Sequence, residues 1–485
     1  IWEQLPHLSS IEKAGIPSVF IIFEDQDECW QQACRLNGIP SIRRVWGSRH
    51  VPGPQDVETW IDKLMDQLVR PLTEEEKNPP KFDFSDPRYI FEGTIQEAQE
   101  FFGQTEEIPQ LYNNAPICKY TDGLPIIPPT EELVEKMLKG NSHKPEEIIA
   151  YQADRILGDR LAQMGSSGKK GDPVHFMPMR RKATVEKVAT IGVMAGCKPE
   201  HMPILLAIAE AGGGCGDGRG GMAYVVSGPY AKEIKMNFDT NVLGPGNPAN
   251  RSIGRAAELM WRNLGGNIPN VTNCGVWGNG LNNCFPENDE ALPPGWATLR
   301  EEYDFGKDDS CVVAIRMSDS IQRTEFMPGG YREFQKSGHG GIGRRLGVKG
   351  IPGPHNWLEY FAGGLWRNWE GGKTFLMLPE MARDLQLYGF KSKDEVYEWL
   401  YKQSFMTVRE YRTHQRPDVT TNAWKGIEPT SGKPWKELDE DYMVPAVSAP
   451  FENCMIVTGG GEEMALWTDG RGANSNTAYS IDFWR

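Results

Sequence analysis

Residues 199–227 read PEHMPILLAIAEAGGGCGDGRGGMAYVVS, and the change of texture along them decides the class of the fold. Residues 199–211 are dense in apolar side chains, which predicts a helix buried over most of its surface. Residues 223–226 are alanine, tyrosine and two valines, which suits a buried strand. A buried helix leading through a loop into a buried strand is the building unit of an α/β fold. The loop itself, residues 212–221, holds seven glycines, and its other three residues are Cys215, Asp217 and Arg219. Backbone so bare adds nothing to a core. It suits a chain that turns with positive φ, or one that lets a ligand reach main-chain N–H groups. A thiol, a carboxylate and a guanidinium spaced two apart make this a candidate site, with Cys215 as a nucleophile activated by Arg219, and Asp217 and Arg219 binding substrate. A surface turn with an incidental cysteine is the alternative.

The α/β pattern continues on both sides. Residues 184–195 precede the loop as a second apolar helix. Residues 311–316, 374–378 and 455–458 are further candidate strands, alternating with helices at 252–264, 356–366 and 393–401. Near the N-terminus, 15–23 and 42–46 read as strands. Residues 29–36 and 57–69 read as helices, the second with Trp60, Leu64 and Leu68 on one face. This β-α-β-α run looks like half a domain. The expected architecture is α/β: a small partial layer over residues 1–72, an acidic and proline-rich linker over 73–117, and a larger mixed α/β domain over 118–485. Thr130 and Thr184 are the expected N-caps of two of its helices. No internal repeat is visible in the sequence.

Bulk composition narrows the function. A net charge of −14 argues against a nucleic-acid footprint and against an anionic membrane surface. No apolar run approaches the roughly 20 residues that span a bilayer. Nine cysteines without a single CxxC pair are expected to be reduced thiols of a cytoplasmic protein. The chain opens on Ile1 without a signal-like segment, so a processed product, a fragment or one subunit of something longer is expected.

Several residues are candidates for chemistry. Glu186 in an otherwise apolar helix would gain a raised pKa and serve as a general base, beside Lys187 and with Cys197 at the helix end. A carboxylate that merely caps the helix start is the competing reading. Asn250, Arg251 and Arg255 open another helix, where N–H groups and two guanidiniums one turn apart would hold a substrate carboxylate. A helix-end salt bridge is the alternative. Cys284 with His339 and His355 would supply mixed ligands for a transition metal. Residues 338–343 match GxGxxG but follow a polar run rather than a strand, which argues against a dinucleotide site. Residues 459–461 form a glycine turn at a strand end, where open α/β sheets place ligands. No Walker, HExxH, GxSxG or CxxCH string occurs.

Residues 11–19, IEKAGIPSV, give the stretch from about Ile11 to Thr73 a resemblance to the end of the UGSC family of seleno- or cysteine proteins. That family is itself similar to the carboxyl end of glycine reductase component B. The resemblance implies a redox selenocysteine or cysteine just upstream of this segment. Here that position would precede Ile1, and neither Cys29 nor Cys34 occupies it. The later chain is similar to the long domain appended in such proteins. It shares Thr121-Asp122-Gly123-Leu124-Pro125, ATVEKVA at 183–189, VMAGC at 193–197, SIGR at 252–255 and Glu287-Asn288.

Three functions are therefore open. The first is an enzyme cleaving or reducing a carbon–heteroatom bond of an anionic small molecule. Its parts would be Cys215 or Cys197 as nucleophile, Glu186 as base, and Arg251 with Arg255 as anion clamp. The second is a metal-dependent lyase or hydratase with Cys and His ligands. The third is a non-catalytic subunit serving a partner that carries the upstream thiol. The open side of the N-terminal half-domain is expected to meet a second copy of the chain, or a partner that supplies the absent segment.

Overall fold

The computed structural model describes residues 5–23, 26–37, 43–47, 53–78, 87–109, 114–155, 167–212, 221–272, 283–316, 322–323, 373–410, 428, 431–445, 449–460, 466–469 and 477–485. It is a mixed α/β protein, as the alternating texture of the sequence implies. Two compact units form from interleaved stretches of chain. Unit 1 holds residues 1–221, 252–282 and 483–485, and unit 2 holds 222–251 and 283–482. Among the described residues, no helix is long and apolar enough to cross a membrane.

Unit 1 begins with α1 (Leu5–Lys13), β1 (Val19–Ile22), α2 (Asp27–Leu36), β2 (Arg43–Trp46) and α3 (Pro54–Val69). β1 and β2 run parallel, with Val19 opposite Arg43. Helix α2 turns Cys29, Trp30, Ala33 and Cys34 inward onto Ile22, so both cysteines are core residues. Phe20 stacks on Trp30 at 4.8 Å. The same small core takes in Met179, and Arg180 donates to Asn37 Oδ1 at 2.6 Å. A distant stretch of the chain thus completes the N-terminal layer. That contact is the physical reason why residues 1–72 group with later chain rather than standing apart.

Residues 73–117, expected as a linker, carry ordered elements. They are α4 (Glu74–Lys77), α5 (Ile95–Phe102) and the antiparallel pair β3 (Thr105–Pro109) and β4 (Asn114–Cys118). Thr94 and Glu97 close a capping box on α5. Phe101 stacks between Phe91 and Tyr120 at 5.0 and 5.1 Å. Glu76, hydrogen-bonded to Arg70, has its pKa held down to about 2.

Among the described residues that follow are α6 (Glu131–Leu138), α7 (Val185–Met194) and α8 (Met202–Glu210). Thr130 and Thr184 cap α6 and α7 as expected, accepting from the N–H groups of Leu133 and Lys187. Every residue of α8 is buried, as its unbroken apolar run demands. Its last residue, Glu210, is enclosed and fully engaged. Oε1 accepts from Gln152 N at 2.9 Å and Arg155 Nη2 at 3.0 Å, and Oε2 accepts from Trp484 Nε1 at 3.1 Å. This carboxylate anchors the end of the chain to unit 1.

Among its described residues, unit 2 carries two four-stranded sheets. The first has the order β14-β7-β5-β6, from β5 (Met222–Ser227), β6 (Asn283–Pro286), β7 (Cys311–Arg316) and β14 (Ala478–Ser480). The second has the order β12-β9-β13-β8, from β8 (Gln322–Arg323), β9 (Lys373–Met377), β12 (Cys454–Val457) and β13 (Leu466–Asp469). The four strands read from the sequence in this part of the chain are thus present. Helices α9 (Tyr230–Glu233), α11 (Pro379–Leu387) and α12 (Lys393–Gln403) accompany the sheets, with a small hairpin of β10 (Phe405–Thr407) and β11 (Met443–Pro445). Helix α10 (Pro248–Asn263) starts in unit 2 and continues into unit 1. The predicted helix at 356–366 lies outside the described residues.

Candidate functional site

Helix α10 organises the candidate site. Its apolar residues Ile253, Ala256, Ala257, Leu259 and Met260 are fully buried. Ser252, Arg255, Glu258 and Arg262 recur three or four residues apart, so they share one face of the helix. All four belong to unit 1.

Two of the short strings from the sequence meet this face. Arg255 Nε and Nη2 donate to Asp122 Oδ2 and Oδ1, both at 2.9 Å, a forked pair of charge-assisted bonds. Arg255 Nη2 also donates to the carbonyls of Leu124 at 3.2 Å and Pro125 at 2.8 Å. The guanidinium of SIGR therefore holds the TDGLP turn, whose Gly123 sits at φ 94°. Lysine cannot copy this fork. Arg255→Lys is expected to lower stability by about 1–3 kcal/mol, measured by urea unfolding. A change below a few tenths would contradict the role.

The VMAGC string is the helix stop of α7. Cys197 N donates to Gly192 O at 2.8 Å and Gly196 N to Val193 O at 2.9 Å, with Gly196 left-handed at φ 81°. This closing pattern needs glycine at position 196. At Gly192 a Cβ would lie 2.7 Å from Leu205 Cδ1 and Met137 Cε, so the ends of those two side chains would have to shift to admit one. The turn delivers Cys197 to Ser252 of α10, with which it shares a hydrogen bond. Burial pushes the Cys197 thiol up to about 12, so it stays protonated at neutral pH.

Glu258 is the distinctive group. Burial, and then the negative charge of Asp122, raise its carboxyl to about 7, while Arg262 pulls the other way. Arg262 is anchored by donating to the carbonyls of Asn267 (3.0 Å) and Cys118. A carboxyl that is half protonated near neutral pH can both take and return a proton.

The residues expected from sequence are dispersed. Glu186 stands in the first turn of α7 and pairs with Arg88 at 2.8 Å. That is the position favoured for a carboxylate at a helix start. Lys187, half-buried, has its pKa lowered by desolvation. Both open α7, whereas Cys197 follows its other end, roughly 15 Å along the axis. These three do not form one site. Asn250 is buried and spent on its own loop. Its Oδ1 accepts from Asn237 N at 3.1 Å, and its Nδ2 donates to the carbonyls of Asn237 at 2.8 Å and Val242 at 3.0 Å. Arg251 is exposed, and Arg255 is committed to Asp122, so the expected anion clamp is not assembled by this pair. Cys284 is buried in β6. Among the described residues, no group of three or more His, Cys, Asp or Glu side chains is placed to hold a metal ion. Cys215, Asp217, Arg219, His339 and His355 lie outside the described residues, as do residues 338–343.

Sequence reasoning missed Glu258 and Asp122 as partners. The available signal was the polar spacing 252, 255, 258 and 262 within an otherwise apolar helix. A second buried charge centre lies in unit 2. Lys393 Nζ, at the start of α12, donates to Glu287 Oε1 at 3.0 Å and Glu302 Oε1 at 2.9 Å. Glu287 Oε2 also accepts from Ser227 Oγ at 2.9 Å and Leu299 N at 2.6 Å. Burial opposes the charge on Lys393, but the two carboxylates outweigh it and hold its pKa above the ordinary lysine value. The centre is closed from solvent and its groups are engaged with one another. No protein-family model, curated protein or solved structure matches this chain.

Proposed function

We propose that this chain is an enzyme acting on a small molecule by acid–base chemistry, with Glu258 as the group that moves the proton. The supporting observation is convergence. TDGLP, VMAGC and SIGR, far apart in the chain, gather around the α10 face on which a half-buried carboxyl titrates at about 7. The Asp122–Arg255 pair fixes the wall of the site, and Asp122 helps to raise Glu258. Cys197, protonated at neutral pH, acts as a neutral hydrogen-bond partner of Ser252 rather than as a nucleophile. Cys215 remains the thiol candidate.

The resemblance to the UGSC family suggests cleavage at a carbon–heteroatom bond. In such a reaction a group with pKa near 7 removes a proton from carbon as base and returns it to the departing heteroatom as acid. No disulfide joins the described cysteines, which suits a reducing cytoplasm. Incubating the protein with a mixture of small organic acids and amines at pH 7, followed by mass spectrometry, tests the reading. A compound consumed by the wild type should be spared by Glu258→Gln, with a loss of about 10²–10⁴-fold. Equal consumption by both proteins would overturn the proposal.

A further inference from the structure

We infer that unit 2 is an internal duplication, two copies of one element interlocked by exchanging their last strands, so that neither copy is a folding unit on its own. The sequence shows no repeat, but the pairing does. β5 has a parallel neighbour, β6, and an antiparallel neighbour, β7. β9 has a parallel neighbour, β12, and an antiparallel neighbour, β13. Chain order agrees as well. β5, α9, the start of α10, β6 and β7 follow one another as β9, α11, α12, β12 and β13 do, with the β10–β11 hairpin inserted in the second copy.

The registers superimpose residue by residue. Val226 faces Pro286 across the parallel pair and Val312 across the antiparallel one. Met377 stands in the place of Val226, facing Val457. On that register Leu466 matches Val313, because they face Leu376 and Val225 respectively. Each parallel pair is extended by the same further bond: Glu287 N to Val226 O at 2.9 Å, and Thr458 N to Met377 O at 3.0 Å.

The fourth strand of each sheet comes from the other copy. β8 follows β7 in the chain but pairs with β13, and β14 follows β13 but pairs with β7. The pairing registers match here too, since Ala478 faces Val313 and Arg323 faces Leu466. Matched positions such as Val225 and Leu376, or Phe285 and Ile456, share one core.

Each copy also covers the other's strand ends, with residues between its two helices or at the start of the second. From the second copy, Lys393 reaches Glu287 beyond β6. From the first, Phe238 O accepts from Gly459 N at 3.1 Å beyond β12. Asn288 N donates to Val457 O at 2.8 Å, and Thr458 Oγ1 donates to Pro286 O at 2.7 Å. The carboxyl ends of the parallel strands, where open α/β sheets hold ligands, are thus filled by the chain's own reciprocal loops.

Native-state hydrogen exchange on the full chain, read by mass spectrometry, tests this. Amides of β5, β6 and β7 should lose protection in the same opening as those of β9, β12 and β13. Lys393→Met should speed exchange in both sets by the same factor. One sheet opening more than tenfold ahead of the other would overturn the inference. So would acceleration by Lys393→Met confined to the second sheet.

Discussion

Glu258→Gln is expected to raise stability at pH 8 by on the order of 2 kcal/mol while abolishing turnover, and to leave stability unchanged at pH 4. The sign follows from a raised carboxyl pKa. Folded Glu258 titrates at about 7, above its ordinary value of 4.5. Below 4.5 the folded and unfolded chains are both protonated, and the group has no effect on the balance. Between 4.5 and 7 the unfolded chain ionises first, so stability falls as pH rises. Above 7 the full penalty is present, and glutamine removes it. Part of the α10 face is open to water, which is why the expected gain is smaller than the shift alone would give. Chemical denaturation of both proteins at pH 4 and pH 8 checks this. A carboxylate kept for structure would give the opposite sign, with the variant weaker at pH 8. Stability given up at one residue is a mark of groups retained for activity.

Lys393→Met is expected to destabilise the protein by about 3–5 kcal/mol, a larger loss than that expected of Arg255→Lys. It leaves Glu287 and Glu302 facing each other, with side-chain exposures of 0 and 8% and no cation between them. The loss belongs to the stranded charges more than to the missing attraction. Adding Glu287→Gln and Glu302→Gln should therefore recover more than half of it. A glutamine at position 287 can still accept from Ser227 Oγ and Leu299 N, and one at position 302 can still meet Tyr397. Urea unfolding of the single and triple variants separates the two causes. A triple variant as weak as the single one would mean that packing around the lysine stem, not charge, holds this centre. If the single variant does not accumulate in folded form, a triple variant that does would equally assign the loss to charge.

Much of the local structure was legible in the sequence, because burial writes itself into apolar runs. Strands β5, β7, β9 and β12 lie within one residue of where such runs place them, and α8 within three. Thr130 and Thr184 cap as their chemistry predicts. Other features depend on contacts that composition does not report. Residues 73–117 have the composition of a linker, yet the Thr94–Glu97 box and the Phe91–Phe101–Tyr120 stack give them order that composition does not reveal. Residues 1–72 look like an open half-domain because Met179 and Arg180, which complete them, come from far along the chain. The duplication leaves no repeat in the sequence because its matched positions share only apolar character, and Glu287 stands where the other copy has Thr458.

The candidate site divides in the same way. The strings around Asp122, Cys197 and Ser252 stand out in the sequence, and they do converge. Glu186, Asn250 and Arg255 have the right residue types, and each engages a partner that the sequence does not announce: Arg88, the 237–242 loop and Asp122 respectively. The polar spacing 252, 255, 258 and 262 places Glu258 on a shared helix face, but its raised pKa comes from burial and from a carboxylate more than a hundred residues away. No periodicity could report that.

The most direct test is to titrate Glu258 itself, by difference infrared spectroscopy of the carboxyl stretch between wild type and Glu258→Gln from pH 4 to pH 9. A protonated carboxyl lost with a midpoint near 7 is the predicted result. A midpoint near the ordinary glutamate value of 4.5 would contradict the assignment of Glu258 as the proton-transfer group.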